Sequence, residues 1–403
     1  VHAGHSFPAN AGISCLLPRN EPEAIAMFDY ETLRVIWWLL LGVLLTGFAI
    51  MDGFDLGIAS LLRVLTHDDD ERRALLETIE PTWEGNQVWI ILGGGAIFAA
   101  WPLLYAASFS GFYFAILLVL LAFIVRPVGF NFRNKLTDPR WREGWDWVLT
   151  LGGLVPTLIF GVAFGNLFLG VPFRYDETLR MTYEGGLIGL LRPFPLLAGL
   201  VSVALILMHG ATWAALKADD LIARRAERLL RVLAPAFVAL YAIAGAWLAF
   251  AVKGYAIVGR AAVDAPSNPL TKQVAQGGSW LADGPLGFWA CVAAAVAIVA
   301  ALLVPLLATR ARHLTAFVAS ALAVAGTIFS AGFALFPFLM PSDLDPRSSL
   351  TVWDASSSKT TLGLMLLAVA IFMPLILAYT SWVYHVLRGR VTLAHIKQTH
   401  GMY

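Results

Sequence analysis

Nine times along this chain a run of roughly 20 mostly apolar residues recurs, at 34–63, 87–107, 110–126, 147–169, 194–216, 231–252, 285–308, 314–338 and 362–386. A run of about 20 residues, rising about 1.5 Å per residue, matches the thickness of a bilayer's hydrocarbon core. Lipid offers the backbone no hydrogen-bond partner, so each run must close its own bonds as a helix. The second and third runs are separated only by a tight SFSG turn and can be miscounted as one. The composition agrees: 59% of residues are hydrophobic and 14% charged, with a mean hydropathy of +0.72, against about 25% charge in a soluble protein. The expected fold is an all-α integral membrane protein of about nine transmembrane helices packed as bundles.

Other classes are set aside by what the chain lacks. The net charge is +1, and the basic residues are scattered through short loops, so there is no nucleic-acid signature. Cys15 and Cys291 have no metal or redox spacing. Residues 1–26 are polar and lack the apolar stretch of about 7–15 residues that a signal peptide needs. They read as a disordered N-terminal tail or an upstream extension, with Met27 opening the transmembrane domain, 27–403.

Loop charge predicts the orientation. The loops after spans one, three, five and seven and the C-terminal tail carry Arg63, Arg72 and Arg73; Arg126, Arg133, Lys135, Arg140 and Arg142; Lys217, Arg224, Arg225, Arg228 and Arg231; Arg310 and Arg312; and Arg388, Arg390 and Lys397. The opposite loops carry less than half as many: Arg174, Arg180, Arg192, Lys253, Arg260, Lys272, Arg347 and Lys359. The positive-inside rule places the first set in the cytoplasm, the N-terminus outside and the C-terminus inside. Trp37, Trp38, Trp101, Trp145, Trp147 and Trp382 lie near span ends, as an interfacial aromatic belt would. The outer loops 253–284 and 339–361 are long enough to fold over their face but hold no catalytic constellation. GFDLG (53–57) and GVAFG (161–165) place glycines four apart, which permits close helix packing.

The polar residues inside the spans are the functional signal. Asp52 and Asp55, in AIMDGFDLG, are three residues apart and share a helix face. They precede Arg63 by enough residues to lie about 12–17 Å into the bilayer, where a charged Asp costs about 2.5–3.5 kcal/mol on insertion scales. Intramembrane acids default to an ion or proton path; the bland alternative is an Asp paired with an Arg for packing. PTWEGNQVW (81–89) puts Glu84, Asn86 and Gln87 at the inner mouth of span two, between Trp83 and Trp89. With Asp52 and Asp55 these three would line a water-filled entrance from the cytoplasm, although Glu84 also fits a plain helix N-terminus. Arg126, in FIVRPVGF, is the natural counter-ion, and Pro127 is expected to end its helix.

Haem ligation needs axial His, Met or Cys. His209 alone lies well inside a span, with His385 near an inner end, and Met208, Met365 and Met373 read as apolar filling. One internal histidine cannot serve several haems and reads as a satisfied core residue. If the chain belongs to a redox complex, the redox centres should sit mainly in another chain.

At this point FDYETLRVIWWLLLGVLLTGFAIMDGFDLG, TWEGNQVWIILGGGAIFAAWPLLYAASFSGFY, RPVGFNFRNK, GVAFGNLFLGVPF, FPFLMPS and LTVWDASSS together resemble subunit II of the bacterial cytochrome bd-type quinol oxidases, a family that includes a cyanide-insensitive variety. The resemblance spans essentially 27–403, with the motifs in order. It implies a haem-free chain of the bacterial cytoplasmic membrane, paired with a related subunit I and, as an open option, one further small single-span subunit, among membrane lipids. Subunit I would hold the quinol site, two b-type haems and one d-type haem. The complex would oxidise ubiquinol or menaquinol, reduce oxygen to water, take protons from the cytoplasm and release protons outside. Subunit II would supply part of the proton route, and some members bind a structural quinone on it. The family's polar positions fall on Asp52, Asp55, Trp83, Glu84 and Arg126; the position of Glu84 is often Asp in relatives. Two other readings stay open here: a proton-coupled secondary transporter, which would need an inverted repeat and paired broken helices, and a scaffold whose acids are packing pairs.

Overall fold

The computed structural model describes residues 28–259, 265–394 and 396. The proposed tail 1–26, Cys15, Arg260 and Lys397 lie outside the described residues. The crossing helices are α1 (Tyr30–Leu65), α5 (Tyr113–Arg133), α6 (Pro139–Leu169), α8 (Pro193–Lys217), α9 (Asp220–Phe250), α10 (Gly287–Ala308), α11 (His313–Leu335) and α12 (Lys359–Val386). Among the described residues these eight are long and apolar enough to span a membrane.

The ninth expected span takes a different form. It is a helix in two pieces, α3 (Trp83–Ala100) and α4 (Pro102–Gly111), broken at Trp101. Pro102 has no N–H to continue the ladder and pushes the preceding residue out of the helical region; Trp101 is non-helical, and the Ala100 carbonyl is met instead by the Ser357 N–H at 2.7 Å. Its polar start leaves α3 below the hydropathy of the other spans. A second break, at Phe112, separates α4 from α5.

Pro127 does not end its helix. α5 runs through it to Arg133. The missing N–H costs one bond, and packing of Phe130 and Arg133 in the interior carries the helix on. The aromatic belt is also only partial. Trp147 and Trp382 are exposed, but Trp37 and Trp101 are core residues, with Trp37 Nε1 donating to Leu362 O at 3.0 Å.

The connections fall at two ends. One carries the short basic loops and a small helix, α2 (Asp69–Glu77), capped by Asp68, which accepts from the Glu71 N–H. Ion pairs tie α2 down: Arg133 bonds Asp146 and Asp69, Arg72 bonds Asp146, and Arg225 grips Glu71 at 2.6 and 3.0 Å. The opposite end carries three antiparallel hairpins, β1 (Phe173–Tyr175) with β2 (Met181–Tyr183), β3 (Lys253–Gly259) with β4 (Gln273–Ser279), and β5 (Phe338–Met340) with β6 (Leu350–Thr351), besides a single helical turn, α7 (Leu187–Leu190). Buried Lys272 fastens two of these loops, donating to the carbonyls of Pro269, Arg347 and Ser349 and pairing with Asp354 at 2.9 Å.

Helix α1 is the hub, packed by α3, α6 and α8. Its glycines make this possible. A Cβ on Gly57 would stand 2.5 Å from Ile206 O and 2.8 Å from Gly210 Cα, so α1 and α8 touch backbone to backbone. Gly161 and Gly199 do the same between α6 and α8.

Candidate functional site

The stretch Asp52-Gly-Phe-Asp-Leu-Gly57 divides α1 by chemistry. At 3.6 residues per turn its two acids share one side, and its two glycines lie roughly 150° around the helix. The glycine side is pressed on α8, so the acids are turned toward α3 and α5.

From α5, Arg126 reaches Asp52: Nη2 donates to Oδ1 at 2.6 Å and Nη1 to Oδ2 at 3.4 Å, both side chains being fully buried. The guanidinium also stands 5.3 Å from the Phe123 ring and 6.0 Å from that of Trp83, within cation–π range. Trp83 is itself buried beside Phe130, with ring centroids 5.6 Å apart.

From α3, Asn86 reaches Asp55, its Nδ2 donating to Oδ2 at 2.8 Å. On its other side Asn86 Oδ1 accepts from the Tyr384 hydroxyl of α12 at 2.7 Å. Asp52, Asp55, Arg126 and Asn86 are all buried. Two buried polar atoms in this group have no hydrogen-bond partner among the described residues, Asp55 Oδ1 and Arg126 Nε. An ion-paired acid thus sits one helical turn from an acid whose second oxygen is free, inside low-dielectric surroundings.

Glu84 and Gln87 are not part of this group. Around α3, Glu84 points nearly opposite to Asn86, and Gln87 is about 100° away. Accordingly Glu84 is exposed, Gln87 is half-buried, and neither makes a side-chain hydrogen bond among the described residues. The expected five-residue lining is therefore Asp52, Asp55 and Asn86 together, with Glu84 on the outer face of α3 at the basic end. Tyr384 was not anticipated. It lies 298 residues from Asn86 in sequence, in AYTSWVYHV, where an aromatic at a helix end reads as belt.

His209 bridges three helices and has no free nitrogen. Nε2 must donate to Ile50 O at 2.9 Å, because a carbonyl only accepts, which makes Nδ1 the acceptor from Ser320 Oγ at 2.8 Å. Among the described residues no group of three or more His, Cys, Asp or Glu could hold a metal ion, and Cys291 is a free thiol. An apolar cavity of about 380 Å³ opens among α1, α6, α8, α9, α10 and α11, lined by Phe48, Gly53, Phe160, Phe164, Tyr241 and Cys291 among others.

The family model for cytochrome bd terminal oxidase subunit II matches residues 33–387. The cytochrome bd-I ubiquinol oxidase subunit 2 of Escherichia coli K12 is 46% identical over 382 residues, covering 94% of this chain and 100% of that one. The cytochrome bd ubiquinol oxidase subunit 2 of Bacillus subtilis is 30% identical over 362 residues, covering 90% and 97%. A chain of the bd oxidase from Geobacillus thermodenitrificans superposes with a TM-score of 0.63 at 16% identity, over 88% of this chain and 98% of that chain.

Proposed function

This chain belongs to the cytochrome bd terminal oxidase subunit II family, and from that premise we propose that it carries protons from the cytoplasm toward a haem-bearing subunit I. It is a multi-pass protein of the bacterial inner membrane and one subunit of a quinol-oxidising, oxygen-reducing complex. It is not catalytic alone.

The observation that carries the proton reading is the free oxygen of Asp55. An acid kept only for packing is expected to have both oxygens satisfied, since an unpaired buried acceptor is costly. Asp52 is so satisfied by Arg126; Asp55 Oδ1 is not. Asp55 therefore has an atom on which to accept and give up a proton, next to a fixed Asp52–Arg126 pair that keeps the local charge balanced. Exposed Glu84 collects protons at the basic end, which we take to be cytoplasmic, with the hairpins outside.

Subunit I is the partner. We place it against α3. The outward face of α3 holds Glu84, Gly85, Val88, Ile91, Gly95 and Phe98, and no atom lies within 4 Å of a Cβ built on Gly85 or Gly95. This is the least apolar crossing segment, so protein rather than lipid suits that face. We assign two b-type haems and one d-type haem to subunit I, where they would carry electrons from ubiquinol or menaquinol to oxygen. Both nitrogens of the buried His209 are committed, so this histidine does not suit a haem iron. The apolar cavity falls in the range of small-molecule sites, about 300–1,000 Å³, and suits a structural quinone. A small single-span subunit would have the exposed faces of α9, α10 and α12 to choose from.

The test is quinol-driven oxygen uptake by the purified complex. Asp55→Asn and Glu84→Gln should slow it while the haem spectra stay normal. Wild-type turnover in both would reduce the acids to packing, and loss of haem would make them structural.

A further inference from the structure

Asn86 is an amide with two unlike ends, and something must decide which end faces Asp55. Presented through nitrogen it donates to the acid; presented through oxygen it can only accept. An ionised carboxylate only accepts, so Asp55 draws the nitrogen end. The Tyr384 hydroxyl holds the other end: it donates to Asn86 Oδ1 at 2.7 Å and so braces the amide with Nδ2 on Asp55 Oδ2 at 2.8 Å. Tyr384 is in turn set by its ring, which packs edge-on to Trp213 of α8 at 6.1 Å, while Trp213 stacks on Phe54, the neighbour of Asp55, at 4.0 Å.

We propose that Tyr384 is a positioning residue of the proton route, holding Asn86 with its nitrogen toward Asp55 so that the acid's second oxygen is the one that takes and releases the proton. This rests on the proton-carrying reading above. With Oδ2 committed to the amide, the proton resides on Oδ1, the oxygen without a partner. If the amide turned over, its oxygen would face Oδ2. The acid would then have to keep a proton there to donate across the contact, and transfer through Oδ1 would stall. The charged and titratable groups around Asp55 are Asp52 on its own helix, Arg126 from α5 and Tyr384 from α12. From α8, His209 lies beside Gly53 with both nitrogens engaged, and Glu84 of α3 faces away. None of these bonds to Oδ2, so the amide controls that oxygen.

The experiment is the pH–rate profile of quinol oxidation in the purified complex, with haem spectra as the assembly control. Tyr384→Phe keeps the ring and removes the hydroxyl. The maximal rate should fall several-fold, and the alkaline limb should move up by as much as about one pH unit as the amide's bond to the acid loosens. Replacing Tyr384 by a ring-fluorinated tyrosine strengthens the donor without changing its packing and should move the limb the other way. A residue that merely supports α12 would alter yield or rate but not shift the limb in opposite senses. The fluorinated protein keeps the test available if Tyr384→Phe fails to assemble. Asp55→Asn separates the two levels of the argument. If it slows turnover while neither Tyr384 replacement moves the limb, the positioning role is wrong and the route stands. If it turns over at wild-type speed, the route is wrong and the positioning role falls with it.

Discussion

Arg126 Nη2 lies 2.6 Å from Asp52 Oδ1, and neither side chain is exposed. Two charges so buried are tolerated only together, because removing one leaves the other desolvated and unpaired, at a cost of about 3–5 kcal/mol. Asp52→Asn alone should therefore lower the thermal stability of the complex markedly, and the double change Asp52→Asn with Arg126→Gln should recover much of it. Melting curves followed by haem absorbance would check this. Equal losses in the single and double variants would mean that the pair is not the source of the effect.

Asp55 should behave differently from Asp52. It has no cation of its own, so Asp55→Asn keeps the shape, removes no ion pair and should leave the melting temperature nearly unchanged. Turnover should nevertheless fall by about 10²-fold, the lower end of what positioned proton-transfer groups contribute. Glu84→Gln should cost less, since water reaches that position directly. Stopped-flow oxygen uptake measures both, and a larger loss at Glu84 than at Asp55 would reverse the proposed order.

Glu71 makes the docking of α2 pH-dependent. Burial acts to raise its pKa, but the Arg225 hydrogen bond, the His67 N–H and the Arg225 charge together hold it below its ordinary value of 4.5. A depressed folded pKa means that the stabilisation is fully present above about pH 4.5 and is lost as the pH falls through the lower folded value. Hydrogen exchange of the 66–82 amides should accelerate on acidification through that window. In Glu71→Gln it should already be fast at neutral pH and change little with acid.

Gly57 should not accept a side chain. The atoms in the way are Ile206 O and the Gly210 backbone, which cannot move aside as a flexible side chain would. Gly57→Ala should cost about 1–3 kcal/mol or more and lower the yield of assembled complex, whereas Gly94→Ala, with open space around it, should be silent. Similar yields for the two would mean that α1 and α8 are not in backbone contact.

Part of the site could be read from the chain itself. Asp52 and Asp55 announce themselves because carboxylates in an apolar run are costly, and Arg126 because it is a basic residue at the end of another run. Asn86 and Gln87, adjacent in PTWEGNQVW, look equivalent until the helix is built and turns one inward and the other about 100° aside. Tyr384 was invisible, since a hydroxyl-bearing aromatic at the end of a last span has the same local pattern whether it meets a headgroup or an amide 298 residues away. The wrong stop at Pro127 has a related origin: local chemistry sees the missing N–H, but not the burial of Phe130 and Arg133 that carries α5 past it.

The sequence by itself determined that this chain lives in a membrane as helices, because hydrophobic length and the demand for internal backbone bonding are properties of consecutive residues. The motifs also made its kinship legible, and glycine spacing marked where helices can touch. Only the tertiary structure decided which acid is neutralised and which keeps a free oxygen, and that an amide from α3 and a phenol from α12 converge on it. Those outcomes depend on how helices distant in sequence are rotated against one another, and no local run of residues encodes that rotation alone.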